Sequence, residues 1–263
     1  MRFLKQSLSL FVCTLSLFMN LQSEIIEIHN MSEIHQYIKP NTLIVFDIDN
    51  TLLEPAQELG SDQWFYRQFE KYLESGMLLK SALNQTLAEW HAIQCLTKVN
   101  IVEEGTAKII RNLQAEKFDI IGLTTRGLEM SRCTVDQLKT LHIDLSLNSP
   151  VKKDCFFINS NKGVLFHEGI LFTTATHKGV AFFKLLDQIQ YEPSHVVFIN
   201  DKATHIRDLE ETCEERNVPF VGLRYGFLDA KVKTFQMDVA EIQFQNFGKL
   251  LTDEEALNLL NSH

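Results

Sequence analysis

Two carboxylates one residue apart close an apolar run: in VFDIDNTLL, residues 45–53, Asp47 and Asp49 follow Thr42, Leu43, Ile44, Val45 and Phe46. Side chains alternate along an extended chain, so both carboxylates point the same way. Like charges that close are costly unless a cation lies between them or one carries a proton. A hard cation such as Mg2+, which takes oxygen ligands and keeps several waters, meets that need. Two other apolar runs end in polar groups: IIGL, 120–123, leads into Thr124, Thr125 and Arg126, and HVVFI, 195–199, into Asn200 and Asp201. Asp201 is the third candidate metal ligand beside Asp47 and Asp49. A plain Asx turn through Asn50 and Thr51 would also use Asp47 and Asp49; the polar groups at two other run ends favour a site.

Elements must bring these residues together. The runs at 43–46, 120–123 and 195–199 read as buried parallel strands, and 219–223 as a fourth. Helical patterns lie at 102–113, 130–141, 180–189 and 206–216. Alternating strands and helices predict an α/β fold: a Rossmann-like, three-layer parallel sheet with right-handed crossovers. In such sheets ligands bind beyond the carboxyl ends of the strands. Residues 57–99 break the alternation and read as two successive helices, a small helical cap inserted after the first motif strand. Its Trp64, Phe65, Phe69 and Tyr72 fall at stripe spacing that packing within the insert accounts for. The segment CFFINSNKGVLFHEGILFT alternates around Glu168-Gly169 and predicts a hairpin.

The whole chain bounds the reading further. Its 263 residues carry a formal charge of −9 with no Lys/Arg-rich run, which argues against nucleic-acid binding by phosphate neutralisation. Arg2 and Lys5 precede an apolar stretch at 8–19, the order of a secretory signal peptide and too short for the roughly 20 residues of a membrane span. Export with residues 1–23 removed is therefore expected, with no transmembrane span in the mature chain. Ser23 with Leu21 is a poor cleavage signal, so an uncleaved anchor stays open. Loss of Arg2 and Lys5 takes the formal charge from −9 to −11. Cys95, Cys133, Cys155 and Cys213 allow three pairings, among which sequence does not choose, and four free buried thiols are at least as good a reading.

The strand ending in Asp47-x-Asp49-x-Thr51-Leu52 resembles the first motif of the haloacid dehalogenase superfamily, most of whose members are phosphatases or phosphotransferases. Its second motif, a Ser or Thr after a strand, is matched by Thr124 in IIGLTTRG. Its lysine is matched by Lys178 in ATHKGVAFFKLLDQI, in competition with Lys162 and Lys184. Its acidic strand end is matched by Asp201 in VVFINDKATHIRD. Order and spacing agree over residues 42–209, while Asn200 and His205 depart from residues frequent at those positions.

The resemblance implies a core of 24–56 and 100–263 with a cap at about 57–99. It implies Asp47 as nucleophile and Asp49 as proton carrier, with Mg2+ held by Asp47, Asp201 and the Asp49 carbonyl. Thr124 and Lys178 would bind the phosphate, and Thr125 and Arg126 are candidates for touching the substrate. A second acid suits a leaving alkoxide, which points to a small-molecule phosphomonoester as substrate. Phosphoryl transfer to another acceptor and a catalytically degenerate secreted interaction protein are the alternatives.

Overall fold

The computed structural model describes residues 24–249 and 251–262; the expected signal peptide at 1–23 lies outside them. Among the described residues the main sheet has eight strands: β1 (Glu24–Ile28), β2 (Thr42–Phe46), β5 (Asp119–Thr124), β6 (Cys155–Asn159), β7 (Lys162–His167), β8 (Ile170–Phe172), β9 (His195–Asn200) and β10 (Phe220–Tyr225). Their order is β1-β10-β9-β2-β5-β8-β7-β6, parallel from β1 to β8 and antiparallel for the last two. The expected parallel three-layer α/β fold is borne out.

Continuous burial explains why the strands read as unbroken apolar runs. Every residue of β2 and of β9 is buried, because helices cover both sheet faces. On one face Ile44, Phe46, Ile120, Val197 and Ile199 pack with Ile110 and Leu113 of α3 (Thr106–Ala115) and Val135 and Leu138 of α4 (Ser131–Thr140). On the other, Leu43, Val45, Ile121, Leu123 and Phe198 pack with Phe182 and Leu186 of α5 (Lys178–Ile189) and Leu209 of α6 (Ala203–Glu215). Odd and even positions of one strand thus feed two separate cores.

Residues 57–99 hold the two expected helices, α1 (Asp62–Glu74) and α2 (Leu79–Leu96). They leave and rejoin the main body through a short antiparallel ribbon, β3 (Leu53–Pro55) against β4 (Val99–Ile101). Ser61 caps α1 by accepting from the Trp64 N–H at 3.2 Å. The C-terminal segment adds α7 (Asp229–Lys233), α8 (Met237–Gln245) and α9 (Asp253–Asn261). These helices have no counterpart in the sequence reading, and α8 packs on α1: Trp64 and Phe244 lie 5.4 Å apart, and Gln243 Oε1 accepts the Leu59 N–H at 2.9 Å. Trp64 is therefore buried by the C-terminal helices as well as by its own insert.

Two further differences have local causes. The helix expected from 102 begins at Thr106, because Gly105 at φ 96° provides its left-handed entry. The expected hairpin is a three-stranded meander with two tight turns, at Ser160-Asn161 and Glu168-Gly169, all four residues having positive φ. Among the described residues no helix is long and apolar enough to cross a membrane.

Candidate active site

The site forms where β2, β5 and β9 end side by side. After β2 the chain does not continue the sheet: the Asp47 N–H still bonds the Ile199 carbonyl at 2.9 Å, and then the Leu52 and Leu53 N–H groups both donate to Ile48 O, at 2.9 and 3.1 Å. Asn50 makes this reversal at φ 56°, a left-handed conformation that Asn tolerates. The turn is closed by main-chain hydrogen bonds and not by the two carboxylates, which meet Lys178 and Arg126 instead.

Lys178, at the start of α5, is 1% exposed at its side chain, and its Nζ lies 2.5 Å from Asp47 Oδ1 and 3.1 Å from Leu123 O. Gly179 makes this approach feasible, because a Cβ there would stand 2.4 Å from the Asp208 carbonyl of α6. Asp47 is almost as deep, and burial pushes its carboxyl above the ordinary range against the pull of Lys178. The Asp201 carboxyl is pushed up to about 7, first by burial and then by the charge of Asp47. Asn50 Nδ2 donates to Asp201 Oδ2 at 3.4 Å.

Asp49 sits in a different setting. Arg126 Nε donates to its Oδ2 at 2.9 Å and Nη2 to its Oδ1 at 2.7 Å, a two-pronged pair with the guanidinium fully buried. Nη1 donates to Thr134 Oγ1 and Gln137 Oε1 at 2.9 and 2.8 Å, and Nη2 also to Gln94 Oε1 at 3.2 Å. All five guanidinium N–H groups are therefore spent inside the protein. The Trp90 ring lies 5.5 Å from the guanidinium carbon. Arg126, a sequence candidate for binding substrate, is committed to holding Asp49.

Thr124 is buried, and its Oγ1 accepts the Arg126 N–H at 3.1 Å while its hydroxyl proton stays free to donate elsewhere. Thr125 lines a cavity of about 380 Å³ together with Asp47, Asp49, Asp201, Phe65 and Trp90. Lys202 also borders it, paired with Asp62 of α1 and 5.6 Å from the Tyr66 ring. Burial opposes the charge on Lys202, but Asp62 and Asp201 outweigh it and raise the ammonium pKa. Among the described residues no group of three His, Cys, Asp or Glu side chains gathers as a metal site. A buried and a half-buried carboxylate that repel one another, Asp47 and Asp201, nevertheless suit a hard divalent cation as a donor set.

Sequence reasoning missed Gln94, Gln137, Asp62 and Lys202. Nothing local marks them; each matters through a partner elsewhere in the chain, 11 residues away for Gln137 and 32 for Gln94, both on Arg126, and 140 for Lys202–Asp62.

Residues 27–257 match the family described as a protein of unknown function, DUF2608. The chain belongs to that family. A DUF2608 relative by sequence is a protein of Chlamydia muridarum provisionally named an outer membrane protein, 27% identical and covering 89% of this chain and 87% of its own. Among solved structures, a hydrolase of Pseudomonas syringae is similar with a TM-score of 0.42 at 12% identity, over 73% of this chain and 98% of that one. A haloacid dehalogenase superfamily hydrolase of Ehrlichia chaffeensis gives 0.41 at 16% identity, over 76% and 98%.

Proposed function

We propose that this DUF2608 chain is a Mg2+-dependent phosphomonoester hydrolase of the haloacid dehalogenase type, working through an aspartyl-phosphate. The observation that carries the reading is the buried Asp47, held at 2.5 Å by Lys178 at a strand end that it shares with Asp201. A lone turn or ion pair has no use for a second, half-buried acid beside the first.

Asp47 Oδ attacks phosphorus, the bond to the leaving oxygen breaks, and Asp49 gives that oxygen a proton. Asp49 then takes a proton from the water that displaces phosphate and restores the Asp47 carboxylate. Both Asp49 oxygens accept from Arg126 and each keeps a lone pair, so Arg126 fixes where the carboxylate points. Lys178 offsets charge on Asp47 and on the arriving phosphate, and the Thr124 hydroxyl proton is placed to donate to a phosphoryl oxygen. Mg2+, held by Asp47, Asp201 and the Asp49 carbonyl, would supply charge neutralisation where the phosphate sits.

Phe65, Trp90 and their neighbours on α1 and α2 wall the cavity and would face the leaving group. Export belongs to the same proposal, supported by the apolar run behind Arg2 and Lys5 and by the naming of the chlamydial relative. The test is hydrolysis of a generic aryl phosphate by the purified chain. Turnover that chelator removes and Mg2+ restores, and that Asp47→Asn lacks, supports the reading. A folded protein with neither turnover nor Mg2+ binding sinks it. Added alcohol acceptors separate transfer from hydrolysis.

A further inference from the structure

Among the described residues Cys95, Cys133, Cys155 and Cys213 are all unbridged, but they are not equally placed. Cys213 is on the buried face of α6, and Cys155 lies on the edge strand β6. Cys95 and Cys133 face one another across the seam where α2 meets α4. Three contacts fix that alignment. Gln137 Nε2 donates to the Gln94 carbonyl at 2.7 Å, and Cys95 Sγ lies 3.7 Å from Met130 Sδ. Cys133 sits between Met130 and Gln137 on the same face of its helix, which brings its thiol beside that of Cys95. Both thiols line an open groove of about 790 Å³, where Cys95 is exposed and a small oxidant has access.

We propose that Cys95 and Cys133 form a disulfide that staples α2 of the helical insert to α4 of the main body. This adjacency picks out one pair among the four cysteines and leaves Cys155 and Cys213 unpaired, and it does not depend on the proposed hydrolysis. The staple would lie next to Gln94, which supports Arg126, and one turn beyond His91 and Trp90 on the cavity wall.

The oxidant is an external disulfide, small or protein-borne. The Cys95 thiolate attacks one of its sulfurs and expels a first thiol, leaving a mixed disulfide on Cys95. The Cys133 thiolate then attacks Cys95 Sγ and expels the second thiol, so the two protein S–H groups are oxidised and one disulfide is reduced to two thiols. The order follows from the surroundings: the Cys133 thiol is pushed up to about 12, first by burial and then by the hydrogen bond and charge of Cys95.

The test treats the reduced full chain with oxidised glutathione, then maps peptides without reduction and follows deuterium exchange. The expected product is a linked peptide pair containing Cys95 and Cys133, with amide exchange in α2 slowed about tenfold or more. Cys133→Ser should halt the reaction at a glutathione adduct on Cys95, and Cys155→Ser should change nothing. A glutathione adduct that persists on Cys95 beside a free Cys133, or a linked pair whose formation leaves α2 exchange unchanged, overturns the proposal.

Discussion

The half of the site carried by the sheet and the half held by the helical insert treat neighbouring carboxylates in opposite ways. On the sheet side, Asp47 has one ammonium, from Lys178, and a second acid, Asp201, beside it. On the insert side, Asp49 meets a guanidinium whose remaining donors go to Gln94 of α2 and to Thr134 and Gln137 of α4. The first half is short of positive charge, and the second is balanced. A site that binds a cation and then a phosphate needs its deficit where they arrive, and rigid neutral surroundings where a proton carrier must be aimed. The difference therefore assigns binding and attack to the sheet half and positioning to the insert half.

Removing the charge at the centre of the short half should have the largest effect. Asp47→Asn is expected to lower turnover of an aryl phosphate by at least about 10⁴-fold, the scale of losing a nucleophile. Its thermal midpoint should fall, since the mutation leaves the buried Lys178 ammonium without its carboxylate partner. Retention of more than a trace of activity would invert the comparison. Asp49→Asn should cost roughly 10²–10⁴-fold in kcat, as for loss of a general acid. That cost should shrink for a nitrophenyl leaving group and grow for an alkyl one, because only the alkoxide needs the proton. Equal losses for both leaving groups would remove the proton-carrier role from Asp49.

Arg126→Ala tests the balanced half as structure. It strands the Asp49 carboxylate together with the acceptors Gln94, Thr134 and Gln137, which should lower unfolding free energy by about 3–5 kcal/mol in a urea titration. Arg126→Lys should recover little of this, since one ammonium does not reproduce five donors held in a plane. A loss under about 1 kcal/mol would mean that the insert does not depend on this pair.

Legibility in the sequence follows the same division. The sheet half was readable because β2, β5 and β9 are short apolar runs, and each delivers its polar residues immediately afterwards, at Asp47, Thr124 and Asp201. The insert half was not. Gln94 and Gln137 are ordinary helix residues until Arg126 reaches both, and no local pattern announces a pairing between a strand end and two different helices. The ribbon strands β3 and β4 are three residues each, too short to show a period. The placement of α8 against Trp64 is a long-range fact of packing: an aromatic stripe says that a residue is covered, without saying by what.

The opposite end of the same strands supplies a control that leaves the site untouched. At the start of β9, His195 is 4% exposed and its Nδ1 lies 2.9 Å from Thr42 Oγ1 at the start of β2. Burial, helped by Lys39, lowers its pKa to about 4. Above the unfolded value near 6.5 the ring is neutral in both states, and stability is fully present. As pH falls below that, the unfolded chain takes the proton first, so stability drains away until the folded ring also protonates near 4, a loss of about 3 kcal/mol. His205, lowered to about 3 by burial and by Lys178 and Lys202, adds a loss of the same sign. The informative quantity is therefore the difference between wild type and His195→Gln in unfolding free energy from pH 7 to pH 4, measured in urea. The variant should start lower and fall less steeply. Parallel slopes would mean that His195 is already charged or wetted in the fold, and acid sensitivity would then have to come from the short half of the site.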